Sequence, residues 1–161
     1  MDHLWSPWRY RYVTEGVSEA GCVFCRIAED PTHDEENLVV MRGRRNFIVL
    51  NLYPYANGHC LIVPHAHRAT LEDTEAETVQ EMAALTQRVE AALRKIYKPD
   101  GINIGMNIGR AAGAGVAEHI HMHALPRWFA DSNFATVVGE TRIVPEELNV
   151  TWKRLREALA D

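Results

Sequence analysis

The stretch His119-Ile120-His121-Met122-His123-Ala124-Leu125 decides how this chain is read. Three histidines stand at i, i+2 and i+4 with apolar residues between them. In an extended strand successive side chains alternate between faces, so the three imidazoles are expected on one face and Ile120, Met122 and Ala124 on the other, toward a core. Imidazole titrates near pH 6.5, so such a row suits nucleophilic or acid–base work on a charged substrate. Histidines elsewhere are more often surface or satisfied core residues. Here the interior position and the strict alternation with apolar residues exclude a tag.

Immediately upstream lies Asn107-Ile108-Gly109-Arg110-Ala111-Ala112-Gly113-Ala114-Gly115-Val116. Small residues let backbone approach a ligand closely, and consecutive N–H groups can form a concave anion site. Alone, such a run reads as a flexible loop; its place just before the histidines favours a phosphate cradle. Farther back, Asn51 precedes Leu52-Tyr53-Pro54-Tyr55, where an amide can hydrogen-bond a ligand or start a turn. Cys22-Val23-Phe24-Cys25 has the two-residue spacing that lets two thiolates reach one tetrahedral metal, with His65, His67 and one histidine of the row as candidates for the remaining ligands. A redox pair is the rival reading, although no strand precedes the motif as in a thioredoxin-like site.

The 161 residues fit one domain, with residues 1–20 as an aromatic arm carrying Trp5, Trp8, Tyr10 and Tyr12, and 129–161 as a C-terminal extension. Hydrophobic content of 47% and charged content of 24% are those of a globular chain. The sequence has no run of 18 apolar residues and no signal-peptide core in residues 1–12, so a cytoplasmic protein without a membrane partner is expected. A net charge of −5 without a basic stripe argues against long nucleic acid as a partner. Three cysteines do not suggest a disulfide framework.

Strands are expected over 37–42, 46–52, 59–63, 102–108 and 119–127, with a short helix at 22–29. A long helix is expected over 74–97 from the stripe Val79, Met82, Ala83, Leu85, Thr86, Val89, Leu93 and Ile96. A terminal helix over 145–159 is expected to open at Pro145. Short connections between the early strands favour antiparallel pairing, hence an α+β fold.

Together these residues resemble the histidine triad superfamily, whose motif His-φ-His-φ-His-φ-φ is matched throughout by His119 to Leu125. Gly58-His59-Cys60-Leu61-Ile62-Val63-Pro64 is similar to its second recurrent segment. Leu4-Trp5-Ser6-Pro7-Trp8-Arg9, the Asn51 to Tyr55 segment and Ala117-Glu118-His119 running on to Pro126-Arg127-Trp128 look closest to the bacterial diadenosine tetraphosphate phosphorylase branch, as does Asp131-Ser132-Asn133-Phe134. The resemblance implies a five-stranded antiparallel half-barrel with one long and one C-terminal helix, forming a homodimer. It implies phosphorolysis of diadenosine tetraphosphate to ADP and ATP through a nucleotidyl-histidine, with inorganic phosphate or water as acceptor. Hydrolysis of nucleoside phosphoramidates or dinucleoside polyphosphates is the alternative, and a nucleotide-binding signalling module is the non-enzymatic one. By the same resemblance His121 is the nucleophile and His123 donates to a phosphate oxygen. Asn51 falls at the ribose, Asn107 and Gly113, Ala114, Gly115 and Val116 at the phosphates, and Trp128 at a lid or stacking position. Relatives including the galactose-phosphate uridylyltransferases hold a structural zinc, and the matching positions are Cys22, Cys25, His67 and His119. A zinc-bound His119 cannot also be an acid–base group.

Overall fold

The computed structural model describes residues 21–132, 136 and 146–160. The aromatic arm at Trp5 and Trp8, the Asn133-Phe134 match and Pro145 lie outside these residues. In chain order the elements are α1 (Val23–Glu29), β1 (Val39–Arg42), β2 (Asn46–Leu50), β3 (Cys60–Pro64), α2 (Ala76–Tyr97), β4 (Gly101–Met106), β5 (Met122–Arg127) and α3 (Leu148–Ala160). Short 3₁₀ turns occupy Pro31–His33 and Arg110–Ala112. The strands form one open sheet in the order β1-β2-β3-β5-β4, antiparallel throughout, so the expected α+β class holds.

Strands β2 and β3 are buried along their whole length because both faces of the sheet are covered. Ile48, Leu50, Cys60, Ile62 and Ala124 face α2 and α3, where Met82, Leu85, Val89, Leu93, Trp152, Leu155 and Leu159 meet them. Phe47, Val49, Leu61 and Val63 point the other way, onto Phe24 and Ile27 of α1. This period-2 alternation assigns the two faces different work. One carries the helical core, and the other carries α1 and the histidine chemistry.

Helix α2 buries Thr78, Met82, Leu85, Thr86, Val89, Ala92 and Leu93, a stripe with the spacing of a helix that packs on one side. Ala83, expected on that stripe, is exposed, and Ala92 takes the inward position instead. The helix begins at Ala76 rather than at 74. Thr74 is held in the preceding turn, with its N–H on the Leu71 carbonyl and its hydroxyl on the Thr70 carbonyl. Lys98, in the left-handed region with φ 46°, closes the helix through its N–H on the Arg94 carbonyl. Glu81 ties α2 to the β1–β2 turn by accepting from the backbone N–H groups of Arg44 and Arg45 and from Asn46 Nδ2.

The fifth strand differs most from expectation. Its ladder starts at Met122, so His119 and His121 precede it. Facing them, Pro64 has no N–H to donate, and its carbonyl accepts from His119 Nε2 at 2.9 Å. The Ile120 N–H bonds instead to the Arg68 carbonyl at 2.7 Å. The chain stays extended enough to keep the alternation, with Ile120 and Met122 in the core and the three imidazoles on the other side.

Candidate active site

His121 and His123 sit with ring centroids 4.9 Å apart. Their hydrogen bonds give their Nε2 atoms opposite protonation. His121 is buried, and its Nδ1–H donates to the His119 carbonyl at 2.9 Å, which leaves Nε2 with the lone pair. Burial holds its pKa below the ordinary histidine value, so the ring is neutral at pH 7.

The state of His123 follows from a chain of donors. The backbone N–H of Tyr55 donates to His59 Nδ1 at 3.2 Å, so that nitrogen is an acceptor and His59 carries its proton on Nε2. Asn51 reinforces this: its Oδ1 accepts from the Tyr53 N–H, which turns its Nδ2 toward His59 Nδ1 at 3.3 Å. His59 Nε2–H then donates to His123 Nδ1 at 2.9 Å. The proton of His123 is therefore on Nε2, a buried group without a hydrogen-bond partner among the described residues. Burial and then the neighbouring His121 push the His123 pKa down to about 4. A lone pair on one imidazole thus stands beside an unsatisfied N–H on the next.

His59 was not singled out by reading the sequence. Its signal was available, because at i, i+2 and i+4 with Leu61 and Val63 it is the polar member of an apolar row on the histidine face. Asn51, expected at a ribose, is buried with its amide directed at His59. Asn107 directly follows Met106, whose ladder partner is Met122, and so stands across from His121. In the following loop the N–H groups of Gly113 and Ala114 bond internally, to the carbonyls of Arg110 and Gly109. Among the residues expected to cradle phosphate, Gly115 and Val116 have no such internal bond among the described residues, and Val116 packs against the apolar cluster that includes Phe24, Leu61 and Val63. Trp128 is not brought to the histidines of its own chain. It follows Arg127, which pairs with Gly101 at the other end of β5, and its ring meets Tyr97 edge-on at 6.3 Å.

On the far side of His121, Cys22, Cys25, His67 and His119 place their ligand atoms within 4.8 Å of one another. The separations are 3.3 Å for Cys22 Sγ to His119 Nδ1, 3.1 Å for Cys25 Sγ to His67 Nδ1, and 3.6 Å for Cys25 Sγ to His119 Nδ1. Metal–sulfur and metal–nitrogen bonds of about 2.3 and 2.0 Å in a tetrahedron give edges of roughly 3.5 Å, so the four residues fit one ion. Because His119 Nε2 donates to Pro64, its Nδ1 lone pair faces the two sulfurs. Burial pushes His119 down to about 4, which keeps that lone pair free at neutral pH. Burial and the adjacent Cys22 push the Cys25 thiol up to about 11, and a cation is what would hold that sulfur as a thiolate. Phe24 joins this corner to the histidine pair, its ring 5.5 Å from His119 and 5.1 Å from His121.

The family model described as "HIT domain" matches residues 32–130, and the chain is 37% identical to the AP-4-A phosphorylase of Mycobacterium tuberculosis over 161 residues, covering 96% of this chain and 83% of that one. The chain belongs to the HIT domain family. Among solved structures, the HIT domain here superposes on a Zn-bound histidine triad family protein of Mycobacterium smegmatis with a TM-score of 0.71 and 31% identity, covering 89% of this chain and 96% of that one. An adenylylsulfatase of Arabidopsis thaliana is 33% identical over 126 residues, 77% of this chain and 61% of that protein. Within this HIT domain, one five-residue run supplies His119 of the Cys22, Cys25, His67 and His119 cluster and the pair His121 and His123.

Proposed function

We propose that this HIT domain transfers a nucleotidyl group from a dinucleoside polyphosphate to inorganic phosphate, with diadenosine tetraphosphate converted to ADP and ATP. The observation that carries the reading is the lone pair of His121 Nε2 beside the partnerless N–H of His123 Nε2. His121 Nε2 attacks the α-phosphorus, a P–N bond forms, and the P–O bond to the departing ATP breaks. His123 donates to a non-bridging oxygen, where charge builds in the transition state. Phosphate then attacks the adenylyl-His121, the P–N bond breaks, and ADP leaves with His121 restored. Covalent capture divides one difficult displacement into two easier ones. Asn107, Gly115 and Val116 are the residues of the glycine-rich side that we assign to the phosphates. The 37% identity to the AP-4-A phosphorylase supports the choice of substrate and acceptor.

We assign Cys22, Cys25, His67 and His119 to a structural zinc. The closed set of four protein ligands leaves no open position for water, so the ion would act on folding and on the placement of α1. A homodimer in the cytoplasm completes the reading.

Hydrolysis is the second reading, supported by the similarity to the adenylylsulfatase. Incubation with diadenosine tetraphosphate, with and without phosphate, separates the two. ADP and ATP formed only with phosphate support phosphorolysis, and AMP released without phosphate supports hydrolysis. His121→Ala is expected to abolish both turnover and labelling by α-³²P substrate, and retention of full activity would overturn the assignment.

A further inference from the structure

Helix α1 carries Cys22 at its N-cap and Cys25 in its first turn, yet it has little of its own to hold it. It spans seven residues, has no side-chain N-cap bond, and buries only Phe24 and Ile27. A helix this short is not stable by itself in water. Its C-terminal end is gripped by one residue of the sheet, Arg42. The guanidinium donates from Nη2 to the Ile27 carbonyl at 2.7 Å and to the Asp30 carbonyl at 3.2 Å, and from Nη1 to the Ala28 carbonyl at 3.2 Å. A helix end leaves its last carbonyls short of intrahelical donors, and here the Ile27 carbonyl takes the Asp30 N–H at 3.3 Å in addition to Arg42.

Arg42 is itself prepared for this task. Asp34 Oδ1 accepts from its Nε at 2.9 Å and lies 2.8 Å from Nη2, so the plane of the fork is set before the carbonyls are met. The Phe47 ring lies under it, 5.6 Å from centroid to Cζ. A planar fork of five donors matches three converging carbonyls and one carboxylate, which the single ammonium of lysine does not. Asp34 comes from the polar loop at 30–36, which also supplies the Asp30 carbonyl.

We propose that Arg42, oriented by Asp34, is a positioning residue for the metal corner: by holding the C-terminal end of α1 it sets Cys22 and Cys25 opposite His67 and His119 before the ion arrives. The inference rests on the metal reading of those four residues. With the grip removed, the ordering of α1 falls to the ion and the contacts of Phe24 and Ile27, and the apparent metal affinity drops by the lost contribution. Charged donors on carbonyls correspond to a loss on the order of tenfold or more in affinity. Phe24 rides on the same helix, so its contact with His121 is set by the same grip.

The test is zinc binding by the full chain, measured by competition against a chromogenic chelator for wild type, Arg42→Ala, Arg42→Lys and Asp34→Ala. The expected result is one zinc per wild-type chain, affinity weakened at least about tenfold in Arg42→Ala, a smaller loss in Asp34→Ala, and partial recovery in Arg42→Lys. Circular dichroism with saturating zinc is expected to show the wild-type fold in all three variants. Zinc affinity of Arg42→Ala within about twofold of wild type would overturn the proposal, as would a variant that stays unfolded in saturating zinc. A wild-type chain that binds no zinc would instead overturn the metal reading on which the proposal rests.

Discussion

His59→Ala isolates the donor chain that sets the protonation of His123. In the wild type His59 Nε2–H occupies His123 Nδ1 at 2.9 Å, which leaves the His123 proton on Nε2. Removing the His59 ring frees Nδ1, so the tautomer that places the proton there becomes available and an acceptor can face the phosphoryl oxygen. Hydrogen bonds to charged groups contribute about 1.5–3 kcal/mol, so losing this donor in the transition state lowers kcat roughly 10- to 150-fold. KM is expected to change little, because the loss falls on the transition state. His59→Gln extends an amide toward the position of the ring Nε2 and is expected to restore about tenfold of the loss. Single-turnover labelling with α-³²P diadenosine tetraphosphate reads the rate. Ring ¹⁵N spectra of His123 read the tautomer independently of any substrate. A His59→Ala protein that keeps kcat within about twofold, or whose His123 proton stays on Nε2, refutes the reasoning.

Gly58→Ala is expected to cost about 2–5 kcal/mol in denaturant melts, combining a left-handed backbone at φ +78° with a Cβ placed 2.7 Å from Leu93 Cδ2 and 2.8 Å from Tyr97 Cε2. Cys22→Ser is expected to abolish stoichiometric zinc and lower the melting temperature of protein purified without a His-tag; an unchanged metal content would count against the site. Glu81 contributes a pH dependence. Burial alone would raise its pKa, but the Asn46 amide and the Arg45 and Arg44 N–H groups outweigh burial and hold it below the ordinary 4.5. Its stabilisation is therefore complete above pH 4.5 and lost as the solution is acidified through the lower folded-state value, and Glu81→Gln is expected to flatten that part of the stability curve. Trp152→Phe removes the Nε1–H donated to the Val39 carbonyl at 2.8 Å and is expected to cost about 1–3 kcal/mol, measured by urea unfolding.

The strand and helix order was legible because apolar alternation and the 3.6-residue stripe survive in the local sequence. The two cysteines and the histidine row stood out by spacing alone. The choice of His67 over His65 came from family resemblance; in the structure His65 turns to stack on Phe47 and to bond the Gly43 carbonyl, while His67 faces Cys25. What local patterns do not carry is pairing across the sheet. The role of His59 depends on the register that sets Leu61 opposite His123, and that of Arg42 on α1 folding back over β1 and β2. The glycine-rich loop shows the same limit: its composition is visible, but not which N–H groups it uses internally.

The Cys/His corner gathers its four side chains from distant parts of the chain, Cys22 and His119 standing 97 positions apart and Cys25 and His67 standing 42 apart. These four side chains meet only once β3 has paired with β5 and α1 has docked, so the corner is expected to form late in folding. An interaction absent from the folding transition state leaves the rate of folding nearly untouched and acts on the rate of unfolding. Zinc supply would then govern how long a folded molecule survives, with little effect on how quickly a new one forms. The ion would work as a kinetic lock on a finished fold, and chelation would shorten the lifetime of the enzyme before it touched any step of the chemistry.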